Sequence, residues 1–268
     1  AAPTHHRCWL RGRPVSASRG PDGPDTPKTA RLSRLRRRIA QNVTESRRTA
    51  AHVWTSVEVD YEALEQVRRR HRAGFREREG FSLTYLPFVA LATIDALAAF
   101  AEVNSRVDFD EGTQTLHDRV NLGIAVDLDR AGLIVVVVPD AGSLTLVELA
   151  RRIHEPAGRA RSGGLRPEDV TGSTFTITNP GSFGSFMSAP IINLPNVAIL
   201  ATDGVAKRPT VVAGPDGGDS VAVHHIGHLG LSWDHRAFDG STAALFLGRI
   251  RQNIETWDWE PHVAEAGG

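Results

Sequence analysis

Between Leu231 and Gly240 the chain has to end a strand, make a turn and begin a helix. The stretch reads Leu-Ser-Trp-Asp-His-Arg-Ala-Phe-Asp-Gly. Leu229, Leu231 and Trp233 alternate with small or polar neighbours, which is the period of a strand with one buried face. Gly240 permits a tight backbone path, and Ser241 to Trp257 has the spacing of an amphipathic helix. His235 therefore stands at a strand end, and Asp239 is placed to fold back through the turn and fix its loop. That layout suits a positioned general base. It equally suits a structural histidine satisfied at a strand end, because paired groups are only statistical markers of function.

A second segment bears on the choice. Residues 173–200 open as a β-branched strand, Thr174 to Thr178, and break at Asn179-Pro180-Gly181. They continue through a loop rich in Gly, Ser and Pro and re-enter an apolar strand near Val197.

Together the two segments resemble the catalytic core domain of the dihydrolipoamide acyltransferases of 2-oxoacid dehydrogenase complexes. The resemblance runs from about Leu32 to Trp257. It takes in Leu32–Ala40, His52-Val53, Leu83-Thr84-Tyr85-Leu86-Pro87-Phe88, Asn121–Asp127 and Gly132–Val135. The ordered set of segments carries it. The histidine motif alone does not, since chloramphenicol acetyltransferases and peptide-synthetase condensation domains have similar ones.

Composition sets the outer bounds. The chain has 268 residues, 41% hydrophobic and 23% charged, enough for a sizeable core and unlike a disordered chain. No apolar run reaches the ~18 residues of a membrane span. A single cysteine, Cys8, excludes an intrachain disulfide and a cysteine-based zinc site, and permits the cytoplasmic location that we expect. The first 50 residues hold 12 Arg/Lys against 3 Asp/Glu, so the chain's zero net charge is unevenly spread. A basic arm suggests nucleic acid, but no aromatic interleaving or nucleic-acid motif accompanies it, and a solvated basic helix is the commoner outcome.

Patterning divides the chain into a linker or disordered lead over residues 1–30, a catalytic domain over 31–260 and a flexible tail over 261–268. Helices are predicted over Ser33–Thr49, from Asp60 to about His71, over Thr84–Val103 and over Leu144–Ala160, the last kinked or broken by Pro156. The charged segment Arg72–Gly80 reads as loop. Strands are predicted at His52–Asp60, Arg106–Phe109, Thr115-Leu116, Val120–Asp127, Leu133–Val138 and His225–Trp233, with a hairpin over Val211–Val223 turning at Gly214–Gly218. The nearly all-β-branched Leu133–Val138 reads as a central strand. Strands and helices alternate, so the class is α/β. The resemblance implies a two-layer, chloramphenicol-acetyltransferase-like domain with a mixed sheet, and trimers with each active site in a channel between subunits.

The resemblance also implies the chemistry, which is exchange of an acyl group between dihydrolipoyl-lysine and coenzyme A. Thiolates are the nucleophiles, so a base is needed near neutral pH, and His235 is the candidate. Thr178 falls where the family places its oxyanion-stabilising hydroxyl, and Asp239 matches the aspartate that holds the catalytic loop through an arginine. On the residues alone, Thr178 reads as a strand threonine bonded to backbone and Asp239 as a helix N-cap. Arg68, Thr84, Asp127 and Asn179 align with positions that contact CoA in relatives. Arg68 also reads as a solvated arginine. Ser182, Ser185 and Ser188 either line the channel or merely keep the loop soluble. His224, His225 and His228 have the spacing of a strand edge with no acidic or cysteine partner close, so no metal is assigned.

Family members carry a lipoyl domain and a small subunit-binding domain ahead of this core, and neither fits within Ala1–Thr29. The lipoyl group is therefore expected in trans or from a missing N-terminal part. Decarboxylase and dihydrolipoamide dehydrogenase components are the implied partners, with no nucleic acid and no membrane. The polar end after Pro261, where many relatives have a leucine run, predicts a trimer that builds no larger core. Two alternatives stay open, a non-catalytic core scaffold and a small-molecule O-acetyltransferase of the chloramphenicol type.

Overall fold

The computed structural model describes residues 29–264 except 130, 215 and 216. The predicted lead up to residue 28, Pro215-Asp216 of the hairpin turn and the last part of the tail lie outside the described residues. The described residues from Ser33 onward form one compact unit.

Its centre is a seven-stranded mixed sheet. The strands are β1 (His52–Asp60), β4 (Leu122–Asp127), β5 (Leu133–Val138), β6 (Phe175–Thr178), β7 (Ala198–Thr202), β8 (Ala206–Ala213) and β9 (Asp219–Asp234). Their order is β1-β9-β7-β6-β4-β5, with β8 pairing the free half of β9. The β4–β6 and β6–β7 pairs are parallel and the rest antiparallel. A separate hairpin joins β2 (Ser105–Asp108) to β3 (Thr113–Leu116).

The helices are α1 (Arg34–Thr49), α2 (Glu62–Glu79), α3 (Leu86–Ala99), α4 (Leu146–Ser162), α5 (Gly240–Thr256) and α6 (Glu260–Ala264). Alternation sorts the strand residues into two faces. Phe175, Ile177, Leu200, Leu229 and Leu231 are buried in the main core with α3, α4 and α5, and α3 is apolar on nearly every side. The other face carries Thr176, Thr178, Ala201, Gly230 and Ser232, mostly small or polar. Residues 184–196 cross this face as a strap between β6 and β7.

The expected α/β class with a mixed sheet is what the structure has. Four local expectations change. Arg72–Gly80 is helix, because Phe75 is fully buried and the charges lie on the outer side of α2. Helix α4 runs on through Pro156, held by a Thr145/Glu148 capping box and a buried apolar face. β5 is the sheet's edge rather than its centre; its valines are buried because α4 and the turn Pro167–Val170 lie against it. The expected tail begins with a packed helix, α6, in which Val263 is buried.

Candidate functional site

His235 follows directly on β9, a strand braced on one side by β1 and on the other by β7. Its amide donates to Ala51 O at 3.0 Å, extending the β1–β9 pairing by one bond. Asp234, almost fully buried, holds the turn. Its carboxylate accepts from the amides of Ala51 and Arg236, both at 3.1 Å, and from Arg236 Nε and Nη2 at 2.9 and 2.8 Å. Burial pushes the Asp234 carboxyl up, but the Arg236 guanidinium and the two amides outweigh it and leave it below the usual carboxylate range. Trp233 Nε1 donates to Phe238 O at 3.1 Å, and the Arg236 guanidinium lies 3.8 Å from the Phe109 ring centroid.

The imidazole itself is open, with its side chain 46% exposed, and Nδ1 is 3.8 Å from Asp239 Oδ1. Asp239 occupies the N-cap position of α5 without a side-chain capping bond and is 83% exposed. Among the described residues of this chain Asp239 holds no arginine. The arginine in the turn is taken by Asp234, which is buried two residues away and presents both oxygens to it.

Thr178 ends β6, and among the described residues its hydroxyl has no hydrogen-bond partner, so the backbone-bonded alternative is not realised. Register places it far from His235 in the same chain. Thr178 is opposite Ala201, and Ala201 is opposite Gly230. His235 is five residues further along β9, about 17 Å at strand rise, and two strand spacings, about 10 Å, to the side. The two side chains belong to opposite ends of the sheet, about 20 Å apart at the backbone.

Asn179 opens the 3-10 turn Pro180–Phe183, and its carbonyl accepts from Ser182 Oγ at 3.2 Å. Asp203, buried after β7, accepts from Ser185 Oγ at 2.5 Å, Ser188 Oγ at 2.7 Å and Ser188 N at 3.0 Å. Ser185 and Ser188 therefore bind the strap to the sheet, and Asp203 is its anchor, which sequence reasoning missed. The only signal was an aspartate-glycine pair just past a buried strand.

Asp127, at the end of β4, reaches the same end of the sheet as Thr178, since β4 runs parallel to β6 with Ile124 opposite Ile177. Arg68 is no solvated arginine. It forks onto Glu65 at 2.6 and 3.0 Å, donates to Leu83 O at 3.0 Å and stacks over Tyr85 at 4.8 Å. Burial raises Glu65, and Arg68 and the Tyr85 hydroxyl at 2.7 Å bring it net below its ordinary value. Arg68, Arg72, Arg76 and Ser82 line an open cavity of about 660 Å³, and Thr84 is exposed just beyond Leu83. Thr84 and Arg68 thus lie together at the α2–α3 junction.

The histidine cluster does have acidic neighbours, contrary to expectation. His224 pairs with Asp60 at 2.5 Å, His225 with Glu62 at 2.6 Å, and His228 lies 3.5 Å from Glu58. The acids come from β1 and the start of α2, brought alongside by the β1–β9 pairing. Among the described residues no group of three or more His, Cys, Asp or Glu is placed to hold a metal ion, and no helix is long and apolar enough to cross a membrane.

The model of a family described as 2-oxoacid dehydrogenases acyltransferase (catalytic domain) matches residues 24–260. The chain is 42% identical over 225 residues to the dihydrolipoyllysine-residue acetyltransferase component of the pyruvate dehydrogenase complex of Mycobacterium bovis, covering 84% of this chain and 40% of that protein. It is 38% identical over 221 residues to the succinyltransferase component of the 2-oxoglutarate dehydrogenase complex of Bartonella vinsonii, covering 82% and 52%. The chain thus spans about two-fifths to one-half of the length of these curated relatives. Among solved structures it superposes on a probable dihydrolipoamide acetyltransferase from Listeria monocytogenes with a TM-score of 0.80 at 36% identity, covering 85% of this chain and 94% of the other.

Proposed function

The chain belongs to the 2-oxoacid dehydrogenase acyltransferase family, and from that premise we propose that residues 31–260 catalyse acyl transfer between dihydrolipoyl-lysine and coenzyme A. His235 is the general base and Thr178 the oxyanion donor. The observation that carries the reading is a pair of complementary ends. One end of the sheet holds an exposed imidazole on a braced strand. The other end holds a threonine hydroxyl without a partner among the described residues.

Because those ends lie about 20 Å apart in one chain, the working site is formed where a second copy brings its His235 to Thr178. A homotrimer closes such head-to-tail contacts into a ring with three equal sites. His235 takes the proton of the attacking thiol, and the thiolate adds to the thioester carbonyl. The carbonyl oxygen becomes an oxyanion and accepts the Thr178 hydroxyl hydrogen bond. Collapse breaks the bond to the departing sulfur, which recovers the proton from the imidazolium. Asp239, with Oδ1 3.8 Å from Nδ1, orients the ring.

For CoA we propose Arg68, Thr84, Asp127 and Asn179. Arg68, Arg72 and Arg76 line one open cavity, which supports a role towards phosphate oxygens, with the Arg68 fork itself taken up by Glu65 and its guanidinium held in place there. The lipoyl group arrives on a lipoyl domain in trans or from a part of the protein outside this chain. Decarboxylase and dihydrolipoamide dehydrogenase components are its partners and the cytoplasm its setting. Relatives include acetyl- and succinyltransferases as well as a branched-chain acyltransferase from Bacillus subtilis.

The test is acyl transfer from acetyl-, succinyl- and isobutyryl-CoA to free dihydrolipoamide. Turnover with one of the three is expected, and none with chloramphenicol as acceptor. No transfer with any of them overturns the reading.

A further inference from the structure

His52 sits where three separate parts of the chain meet. Its backbone is opposite Asp234, one residue before the candidate base. Its preceding neighbour Ala51 makes two bonds to that turn, accepting from His235 N at 3.0 Å and donating to Asp234 Oδ1 at 3.1 Å. The His52 ring turns the other way, towards the strap.

There, Ile192 N donates to His52 Nε2 at 3.1 Å, while Nδ1 lies 3.1 Å from Ala50 O. An amide N–H can only donate, and a carbonyl can only accept. The ring is therefore the neutral tautomer with its proton on Nδ1, and both nitrogens are used. Ser46 Oγ completes the clamp by donating to Ile192 O at 2.6 Å. Ile192, Ala50 and Ile199 pack as a small apolar cluster of their own, outside the main core. Further along the strap, Trp54 Nε1 donates to Ser188 O at 2.9 Å.

The strap thus starts beside Thr178, tied to Asp203, and reaches the His235 end of the sheet, tied to His52. We propose that His52 is a positioning residue for acyl transfer. Its ring fastens the strap at Ile192 to the end of β1 that pairs with Asp234, and so steadies the strand end that carries His235. This rests on the reading of His235 as the base. A ring that fills space alone would be replaceable by any side chain of similar volume. A ring that works through Nε2 is replaceable only by another acceptor.

The experiment uses the assembled protein with His52→Leu and His52→Gln, measuring kcat, KM and backbone amide exchange at Ile192. In His52→Leu the Ile192 amide loses its acceptor. Its exchange is expected to rise about ten-fold, the effect of one net hydrogen bond. kcat should fall by a similar factor with a smaller change in KM. His52→Gln offers Oε1 to the same amide and should restore protection and most of kcat. In the wild type, ring ¹⁵N shifts should show Nε2 unprotonated, which needs no variant and decides the matter if His52→Leu does not assemble. A leucine variant with unchanged kcat, a glutamine variant no better than leucine, or a protonated Nε2 near neutral pH each overturns the proposal. His235→Ala separates the two readings. Undiminished turnover there removes the base assignment and the positioning role with it, while Ile192 protection stays as in the wild type.

Discussion

Thr178 and His235 lie at opposite ends of one sheet, on the axis β6-β7-β9, with Ala201 and Gly230 level with the threonine and the histidine five residues beyond. Both are held by strands with a neighbour on each side, so neither end can swing towards the other without breaking the sheet. Under the roles we propose for them, each copy carries two half-sites and the chemistry needs a neighbour.

Mixed assemblies test this directly. His235→Ala and Thr178→Ala are each expected to be nearly inactive alone. Mixed one to one during assembly, they should recover roughly a quarter of wild-type turnover, since each site draws one residue from each of two copies. No recovery from verified mixed trimers would show that the two residues act within one subunit or not together.

The threonine should act on the transition state. Thr178→Ala is expected to lower kcat by about 10²–10³-fold with little change in KM, as for loss of one oxyanion donor. Thr178→Ser should retain most activity. Steady-state kinetics decides it, and a change confined to KM is the contrary result.

Asp234 and Asp239 should separate by role. Asp234→Asn removes a buried charge-assisted fork to Arg236 and is expected to cost about 1–3 kcal/mol, reduced from a fully buried pair because Arg236 is partly exposed. Asp239→Asn, at an exposed position, should change stability by less than about 0.5 kcal/mol. Thermal or urea unfolding of the two variants measures the difference, and equal losses would contradict the assignment of the loop-holding role to Asp234.

Gly181 should tolerate no side chain. A Cβ there would lie 2.4 Å from the Asp203 carbonyl carbon and 2.5 Å from its oxygen, both backbone atoms. Gly181→Ala is expected to displace the turn after Thr178 and to lower turnover more than it lowers the unfolding temperature. Wild-type kinetics in this variant would mean that the turn does not position the threonine.

Asp169 gives the protein an acid-sensitive anchor. Its carboxylate is hydrogen-bonded by Arg159 at 2.6 and 3.2 Å and by the Arg166 amide at 3.0 Å, and these hold it well below the usual range. A depressed carboxylate contributes stability above its unfolded value of about 3.9, and that contribution fades as pH falls through the folded value. The stability gap between wild type and Asp169→Asn should be constant above about pH 5 and close below about pH 4. A gap independent of pH in acid unfolding curves would refute the linkage.

Much of this architecture was legible in the chain. Period-two alternation marked β1 and the end of β9, because the larger side chains of each, such as Val59, Leu229, Leu231 and Trp233, point to the main core. The β-branched run Leu133–Val138 was correctly a strand but misplaced, since burial by a covering helix leaves the same pattern as burial between strands. Arg72–Gly80 looked like loop because its one buried anchor, Phe75, is outnumbered by charges that merely face water. Of the proposed site, His235 was singled out by the strand-turn-helix motif, and Thr178 and Arg68 by the family resemblance. Asp203 and His52 were not, because their partners are far away in sequence. Asp203 reaches Ser185 and Ser188 across 18 and 15 positions, and His52 reaches Ile192 across 140.

Local sequence determined where strands end and helices begin, and so which side chains stand at the tips of rigid elements. Side-chain period and turn chemistry act over a few residues, and they are written in consecutive letters. Tertiary structure alone decided which carboxylate holds the turn after β9, which serines tie down the strap and how far Thr178 stands from His235. Those depend on strand order and register, and strand pairing joins residues by hydrogen bonds across the sheet with no trace in their spacing along the chain.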